Sequence, residues 1–298
     1  MEKWLQPQSW PLSSWRAQLS WLLQSLANRV RVLRKIPDWL IYLVVLTVII
    51  GNVKSRVSTH DAAVPPPELG PALPNVRPSD PRVLVTIGGP ASGIGTAFAI
   101  DGQGHWFTAR HVVDSCDQVG LRLDGRRFVK VKVAKISPRT DVAILTSRWK
   151  RPPLDRDFDS TRKIGERGFF VGFPQGRPGE AAGKLIGRRR MVIHGRYRSS
   201  EPILAWSEIG RTRGLKGSLG GLSGGPAFSR AGKVIGLVSA ESPRRGRIYT
   251  AAPTSLSRLV PPLSDRAPSQ PITLANYGNR ADRLRRTRRV VQVACVVK

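Results

Sequence analysis

A chain of 298 residues, 40% hydrophobic and 23% charged, has a globular composition and is long enough for one large or two modest domains, which excludes disorder throughout. Its 49 Lys and Arg against 20 Asp and Glu give a formal charge of +29, which admits a nucleic acid, an anionic membrane surface or simply an Arg-rich solvated exterior. Two cysteines and four histidines exclude a disulfide-dense miniature scaffold and a four-cysteine zinc site, and neither a metal nor a cofactor is expected.

Residues 1–35 read as a cytoplasmic or interfacial amphipathic segment, with Leu19, Leu22, Leu23, Leu26, Val30 and Leu33 at helical spacing. Residues 36–57 follow as a transmembrane anchor. Between Asp38 and Lys54 lie 15 uncharged residues, which at a rise of about 1.5 Å each cover about 22 Å of a roughly 30 Å hydrocarbon core. Snorkelling of Lys35 and Lys54 would extend that reach. A cleaved signal peptide is the competing reading, disfavoured by the long stretch before the apolar run. Arg29, Arg31, Arg34 and Lys35 outweigh Lys54 and Arg56, which puts the N-terminus in the cytoplasm and the rest of a single-pass chain on the outer, periplasmic or extracytoplasmic side. Residues 58–81, with Pro65–Pro67, Pro71, Pro74, Pro78 and Pro81, read as an extended linker.

From 82 to 262 the pattern changes to short β-branched runs broken by Gly. They are Val83–Ile87, Thr96–Ile100, His105–Thr108, Val119–Leu123, Phe128–Ile136 and Val142–Leu145, then Gly168–Gly172, Met191–His194, Ile203–Ser207, Ala227–Phe228, Val234–Ser239 and Ile248–Thr250. Many close strands without a helical period between them predict an all-β sandwich or pair of barrels. Residues 263–298 read as a basic tail, with six Arg between 280 and 289 ahead of Val290–Val297.

Three patterns carry chemistry. Thr108–Val113 places His111 where a strand ends, and Thr140–Leu145 places Asp141 at the start of an apolar strand. Gly220–Pro226 surrounds Ser223 with glycines, the signature of a tight turn where backbone approaches a ligand. Each pattern alone has a bland explanation: a packed His, a capping Asp, a Gly-rich loop. Together they supply the parts of acyl transfer. Ser223 attacks, His111 is general base and then acid, Asp141 orients the imidazole, and the backbone N–H groups of Gly221 and Ser223 form an oxyanion hole.

With these residues in the order His, Asp, Ser, and with Gly95–Phe98, Val171–Pro174, Val234–Ser239 and Tyr249–Pro253 around them, residues 82–262 resemble a trypsin-like serine peptidase of the HtrA/Deg group. The resemblance implies an all-β fold of two six-stranded antiparallel barrels, preceded here by the helical membrane anchor, and a membrane-anchored serine endopeptidase acting on protein or peptide substrates. Only about 36 residues follow Pro262, so no PDZ domain is expected. Leu222 departs from the family, whose members carry Asp or Asn there, and this bears on the resting geometry of the oxyanion loop.

The resemblance also implies a substrate-binding wall. Gly217, six residues before the nucleophile, replaces the basal acid of trypsin, and Ser239, Ala240 and Glu241 match the strand that lines substrate backbone. Glu241 and Arg247 replace small residues and are expected to narrow the pocket by pairing with one another, favouring small apolar side chains; solvated loop charges are the alternative. Nucleic acid is not expected as a partner, because no aromatic-interleaved basic module accompanies the arginines. Pairing of Cys116 with Cys295 and an oligomeric state are left open. The rival is a catalytically silent peptide-binding or scaffold protein at the membrane. If the peptidase reading holds, removal of residues after about 270 is expected to spare hydrolysis.

Overall fold

The computed structural model describes residues 37–57, 69–125, 127–260 and 269–298; the expected amphipathic segment 1–35 and linker residues 58–68 lie outside the described residues. The chain divides into two units, Met1–Pro66 and Pro67–Lys298. In the first, helix α1 (Asp38–Val57) carries an acidic residue in its first turn, where the helix dipole favours it. The expected transmembrane anchor is corrected: among the described residues no helix is long and apolar enough to cross a membrane. The uncharged run ends within α1, whose last turns bring Asn52, Lys54 and Arg56, so the apolar stretch is shorter than the helix.

The second unit is mostly β, and its chain-order elements alternate short strands with tight turns. They are β1 (Arg82–Ile87), β2 (Gly93–Ala99), β3 (His105–Thr108), the single-turn helix α2 (Arg110–Val113), β4 (Gln118–Asp124), β5 (Arg127–Ile136), β6 (Ala143–Thr146) and β7 (Arg167–Gly172). A long hairpin follows, β8 (Gly179–Gly195) with β9 (Ser199–Arg211), then β10 (Pro226–Phe228), β11 (Val234–Ser242), β12 (Arg247–Ala251), α3 (Pro253–Ser257), α4 (Tyr277–Arg286) and β13 (Val290–Val296).

One closed six-stranded barrel runs β13-β2-β3-β6-β5-β4. On its strands Phe98, Trp106, Phe107, Leu121, Leu145, Val290 and Val293 are all buried. The segment read as a basic tail therefore supplies a barrel strand. β13 sits between β2 and β4, with Val290 opposite Phe98 and Val293 opposite Leu121, and Cys295 forms a disulfide with Cys116, 179 residues earlier. The reason lies in its residues: β-branched Val290, Val291 and Val293 favour a strand, and pairing between β2 and β4 closes that edge and buries all three.

The other strands form a seven-stranded sheet in the order β1-β8-β7-β10-β11-β12-β9, and β9 pairs again with β8. This differs from the expected second six-stranded antiparallel barrel, because β1 is added alongside β8 in parallel, Arg82 opposite Arg190 through Ile87 opposite Gly195. Val83, Val85 and Ile87 pack there against Met191, Ile193 and Tyr249. Residues 69–74, expected to be an extended spacer, are docked on the same unit. Gly70 and Leu73 donate their N–H groups to the carbonyls of Ile164 and Arg162, each at 2.7 Å, and Leu73 is buried. Prolines lack a donor but still accept, and the Pro71 and Pro74 carbonyls take hydrogen bonds from Ile164 N–H and Arg188.

Candidate active site

β3 ends at Thr108, and the buried Val112 and Val113 pin the α2 turn to the barrel, so His111 projects from a fixed base. Asp141, fully buried, leads into β6 from a tight turn in which Ser137 N–H bonds the Val142 carbonyl at 3.0 Å and Thr140 N–H bonds the Ser137 hydroxyl at 3.1 Å. The two meet closely. His111 Nδ1 lies 2.8 Å from Asp141 Oδ2, and the His111 N–H donates to Oδ1 at 2.9 Å. A carboxylate oxygen accepts, so Nδ1 carries the proton and Nε2 is left with its lone pair. Burial disfavours the charged imidazole, but the charge of Asp141 and its hydrogen bond outweigh that and raise the His111 pKa above the ordinary value.

The serine turn is tied to the histidine strand through Thr96 and Thr108. Thr96 N–H donates to the Ser223 carbonyl at 2.8 Å, its hydroxyl donates to the Gly221 carbonyl at 2.8 Å, and Thr108 Oγ1 donates to the Thr96 carbonyl at 2.8 Å. Two glycines permit the approach. Gly221 and Gly224 have φ of 96° and 86°, and a Cβ would drive Gly221 into the Phe173 carbonyl and Gly224 into the Thr96 carbonyl. The Gly220 carbonyl accepts from Gln175 N–H at 2.5 Å and the Leu222 carbonyl from Gly225 N–H at 2.9 Å. In a trans peptide C=O and N–H point opposite ways, so these bonds aim the N–H groups of Gly221 and Ser223 away from the packed side. Among the described residues neither N–H has an internal partner, and the Ser223 hydroxyl makes no hydrogen bond.

Leu222, the departure from the family pattern, is 1% exposed and packs with Leu219, Phe170 and Val238. The loop is thus anchored by apolar burial. Beside Ser223 is a hollow of about 20 Å³, bounded by Leu219, Leu222, Val238, Ala240, Glu241 and Ile248 among others. Of the expected wall residues, Ala240 and Glu241 line it, whereas Gly217, Ser239 and Arg247 do not. The expected pairing of Glu241 with Arg247 is also corrected. Glu241 accepts the Leu219 N–H at 2.8 Å and the Ser218 hydroxyl, while Arg247 donates to the Ser207 hydroxyl at 2.8 Å. The Leu219 N–H and the Ser218 hydroxyl occupy the Glu241 carboxylate, which thereby holds the 218–219 wall. A far larger hollow, about 800 Å³, runs along α4 between Arg151, Phe228, Ile272 and Arg283, and holds none of His111, Asp141 or Ser223.

Three residues at this site carry no sequence signal. Tyr197, in the β8–β9 turn, donates its hydroxyl to Asp141 Oδ1 at 2.8 Å; Arg196 donates to the His111 carbonyl at 3.1 Å; and Glu201 Oε1 accepts the Asp141 N–H at 2.6 Å. Burial first, and then the nearby Asp141 charge, push the Glu201 pKa up to about 8. Among the described residues no group of three or more His, Cys, Asp or Glu is arranged to hold a metal.

Residues 95–237 match the family model described as "Trypsin-like peptidase domain". The chain is 29% identical over 157 residues to a "Probable periplasmic serine endoprotease DegP-like" of Pseudomonas putida (strain GB-1), covering 52% of this chain and 31% of that one. A protein of the same description from Bartonella henselae is 32% identical over 161 residues, covering 53% and 30%. The chain thus spans about a third of the length of the curated relatives it matches. Among solved structures it is similar to the active form of the Rv3671c protease from M. tuberculosis, with 20% identity, a TM-score of 0.47, and coverage of 60% of this chain and 76% of that one. Over residues 95–237 this chain is thus similar to a trypsin-like peptidase domain, and over about half its length it is similar to the DegP-like endoproteases.

Proposed function

We propose that this chain is a serine endopeptidase that cuts protein or peptide substrates outside the cytoplasm. The observation that carries the reading is the His111 Nδ1 to Asp141 Oδ2 hydrogen bond of 2.8 Å, beside a turn that presents Ser223. His111 Nε2 takes the proton of the Ser223 hydroxyl as its oxygen attacks the scissile carbonyl, then returns a proton to the leaving amine. Asp141 holds the ring in the tautomer this requires. The N–H groups of Gly221 and Ser223 receive the negative charge that develops on the carbonyl oxygen, which is the larger share of such catalysis. We read the seven-stranded sheet as the second barrel of the pair, on the return pairing of β9 with β8.

The hollow of about 20 Å³ beside Ser223 holds little more than one water-sized group, which favours a small side chain at the cleaved position. An oxidising compartment is supported by the Cys116–Cys295 disulfide and by the periplasmic description of the relatives. A membrane-spanning tether is not part of the proposal. A silent peptide-binding role is the second reading, favoured by the Ser223 hydroxyl, which has no hydrogen bond among the described residues.

The test is reaction of the full chain with a fluorophosphonate probe, followed by cleavage profiling on a peptide library. Labelling is expected in wild type and lost in Ser223→Ala and His111→Ala, with small residues at the cleaved position. A folded wild type that never labels would favour the binding role.

A further inference from the structure

The Asp141–His111 couple stands on the barrel, yet the groups that grip it from outside come from the β8–β9 hairpin. Arg196 reaches the carbonyls of His111 and Asp114, at 3.1 and 2.6 Å, and Glu201 takes the Asp141 N–H. Of the hairpin's described side chains, Tyr197 is the one that touches the carboxylate. Asp141 Oδ1 receives two hydrogen bonds, from His111 N–H and from the Tyr197 hydroxyl, while Oδ2 receives the His111 Nδ1–H. The phenol ring is itself fixed, with the Arg110 guanidinium 3.7 Å from its centroid and Arg110 bound to Asp114 at 3.0 Å and to the Ser137 carbonyl at 3.2 Å. Burial, then the Asp141 charge, push the Tyr197 pKa upward, so the hydroxyl remains a donor at working pH. Ser239, on the strand beside the site, is buried with its Oγ unpaired and does not share this task.

We propose that Tyr197 is a positioning residue for the reaction: its hydroxyl, delivered by the β8–β9 turn, fixes the Asp141 carboxylate and through it the aim and basicity of His111. The proposal rests on the peptidase reading above. Without the hydroxyl, Oδ1 keeps one donor, the carboxylate gains freedom to rotate, and more of its charge falls on the imidazole. The first two effects slow the reaction, and the third raises the pH at which His111 loses its proton.

The experiment compares wild type, Ser223→Ala and Tyr197→Phe in the full chain, following the rate of fluorophosphonate labelling against pH and, by NMR, the low-field proton of His111 Nδ1. Absence of labelling in wild type overturns the peptidase reading itself. Where wild type labels, Tyr197→Phe is expected to react about tenfold more slowly, the loss typical of one hydrogen bond to a charged group, with the midpoint of the acid limb moved upward and the low-field proton displaced. A Tyr197→Phe variant with wild-type rate, midpoint and resonance overturns the proposal and leaves the peptidase reading intact. So does a slower variant whose midpoint and resonance are unmoved, because that is loss of structure alone. Site-specific 3-fluorotyrosine at 197 keeps the ring and strengthens the donor, so the midpoint is expected to move downward; an upward or absent movement counts against the proposal even if Tyr197→Phe fails to fold.

Discussion

The half of the site that holds His111 and Asp141 and the half that holds Ser223 are built in opposite ways. The six-stranded barrel under His111 and Asp141 is completed by the far end of the chain, through β13 and the Cys116–Cys295 bridge. The seven-stranded sheet under Ser223 takes much of its pairing from neighbours in sequence, the β8–β9 hairpin and the β10–β11–β12 meander, with β1 added in parallel on β8. The barrel that carries His111 and Asp141 is therefore closed by a strand of long sequence separation, whereas the sheet under Ser223 is built mainly from nearer pairings and is tied to the barrel through Thr96. Long-range closure orders the chain at high entropic cost and repays it only when the last strand arrives.

Removing residues 290–298 breaks the comparison most severely. Val290, Val291 and Val293 are buried, and losing them forfeits on the order of 5 kcal/mol of apolar burial besides two ladders of hydrogen bonds, comparable to the whole stability of a domain. The truncated chain is expected to lose its cooperative thermal transition and all probe labelling. This reverses the expectation that the tail is dispensable, and a truncated chain that melts cooperatively and labels would restore it.

A milder cut is the double variant Cys116→Ser with Cys295→Ser, which keeps β13 but frees its end. Stability is expected to fall by roughly 2–4 kcal/mol. The loss belongs to one half: amide hydrogen exchange should quicken in β2, β4 and β13 and stay unchanged in β10, β11 and β12. Equal quickening in both halves would mean that the two are one cooperative unit.

The finest probe is Glu201→Gln, at the point where the hairpin of one half grips the other. Burial pushes the Glu201 carboxyl up to about 8 from its ordinary 4.5, so above 4.5 the unfolded chain releases a proton that the folded chain retains. Stability then falls as pH rises from 4.5 to 8 and is level beyond. The amide cannot ionise and still accepts the Asp141 N–H. Glu201→Gln is therefore expected to match wild type near pH 4.5 and to gain on it through the window, by on the order of a few kcal/mol at pH 8, read as a growing difference in Tm. A difference that shrinks with rising pH would place the carboxyl's ionisation elsewhere.

The chemistry was legible in the sequence because it sits on residues with strong local signatures. His111 follows a short β-branched run, Asp141 precedes one, and Ser223 lies among glycines that only a strained turn requires, so three segments and their order were enough to name the candidates. Strands such as His105–Thr108 and Phe128–Ile136 were readable from their aromatic and β-branched residues. Most of β8 was not, because Gly179–Arg190 mixes glycine with arginine and becomes a strand only when its neighbours β7 and β9 pair on both sides. Tertiary structure alone decided that β13 closes the barrel, that Glu241 turns to the Leu219 N–H and not to Arg247, and that Tyr197 completes Asp141. Each of these joins groups far apart in the chain. Local sequence encodes which residues favour a strand or a turn, while the partner of a buried edge, a carboxylate or a hydroxyl is settled by whichever distant group packing brings within hydrogen-bond reach.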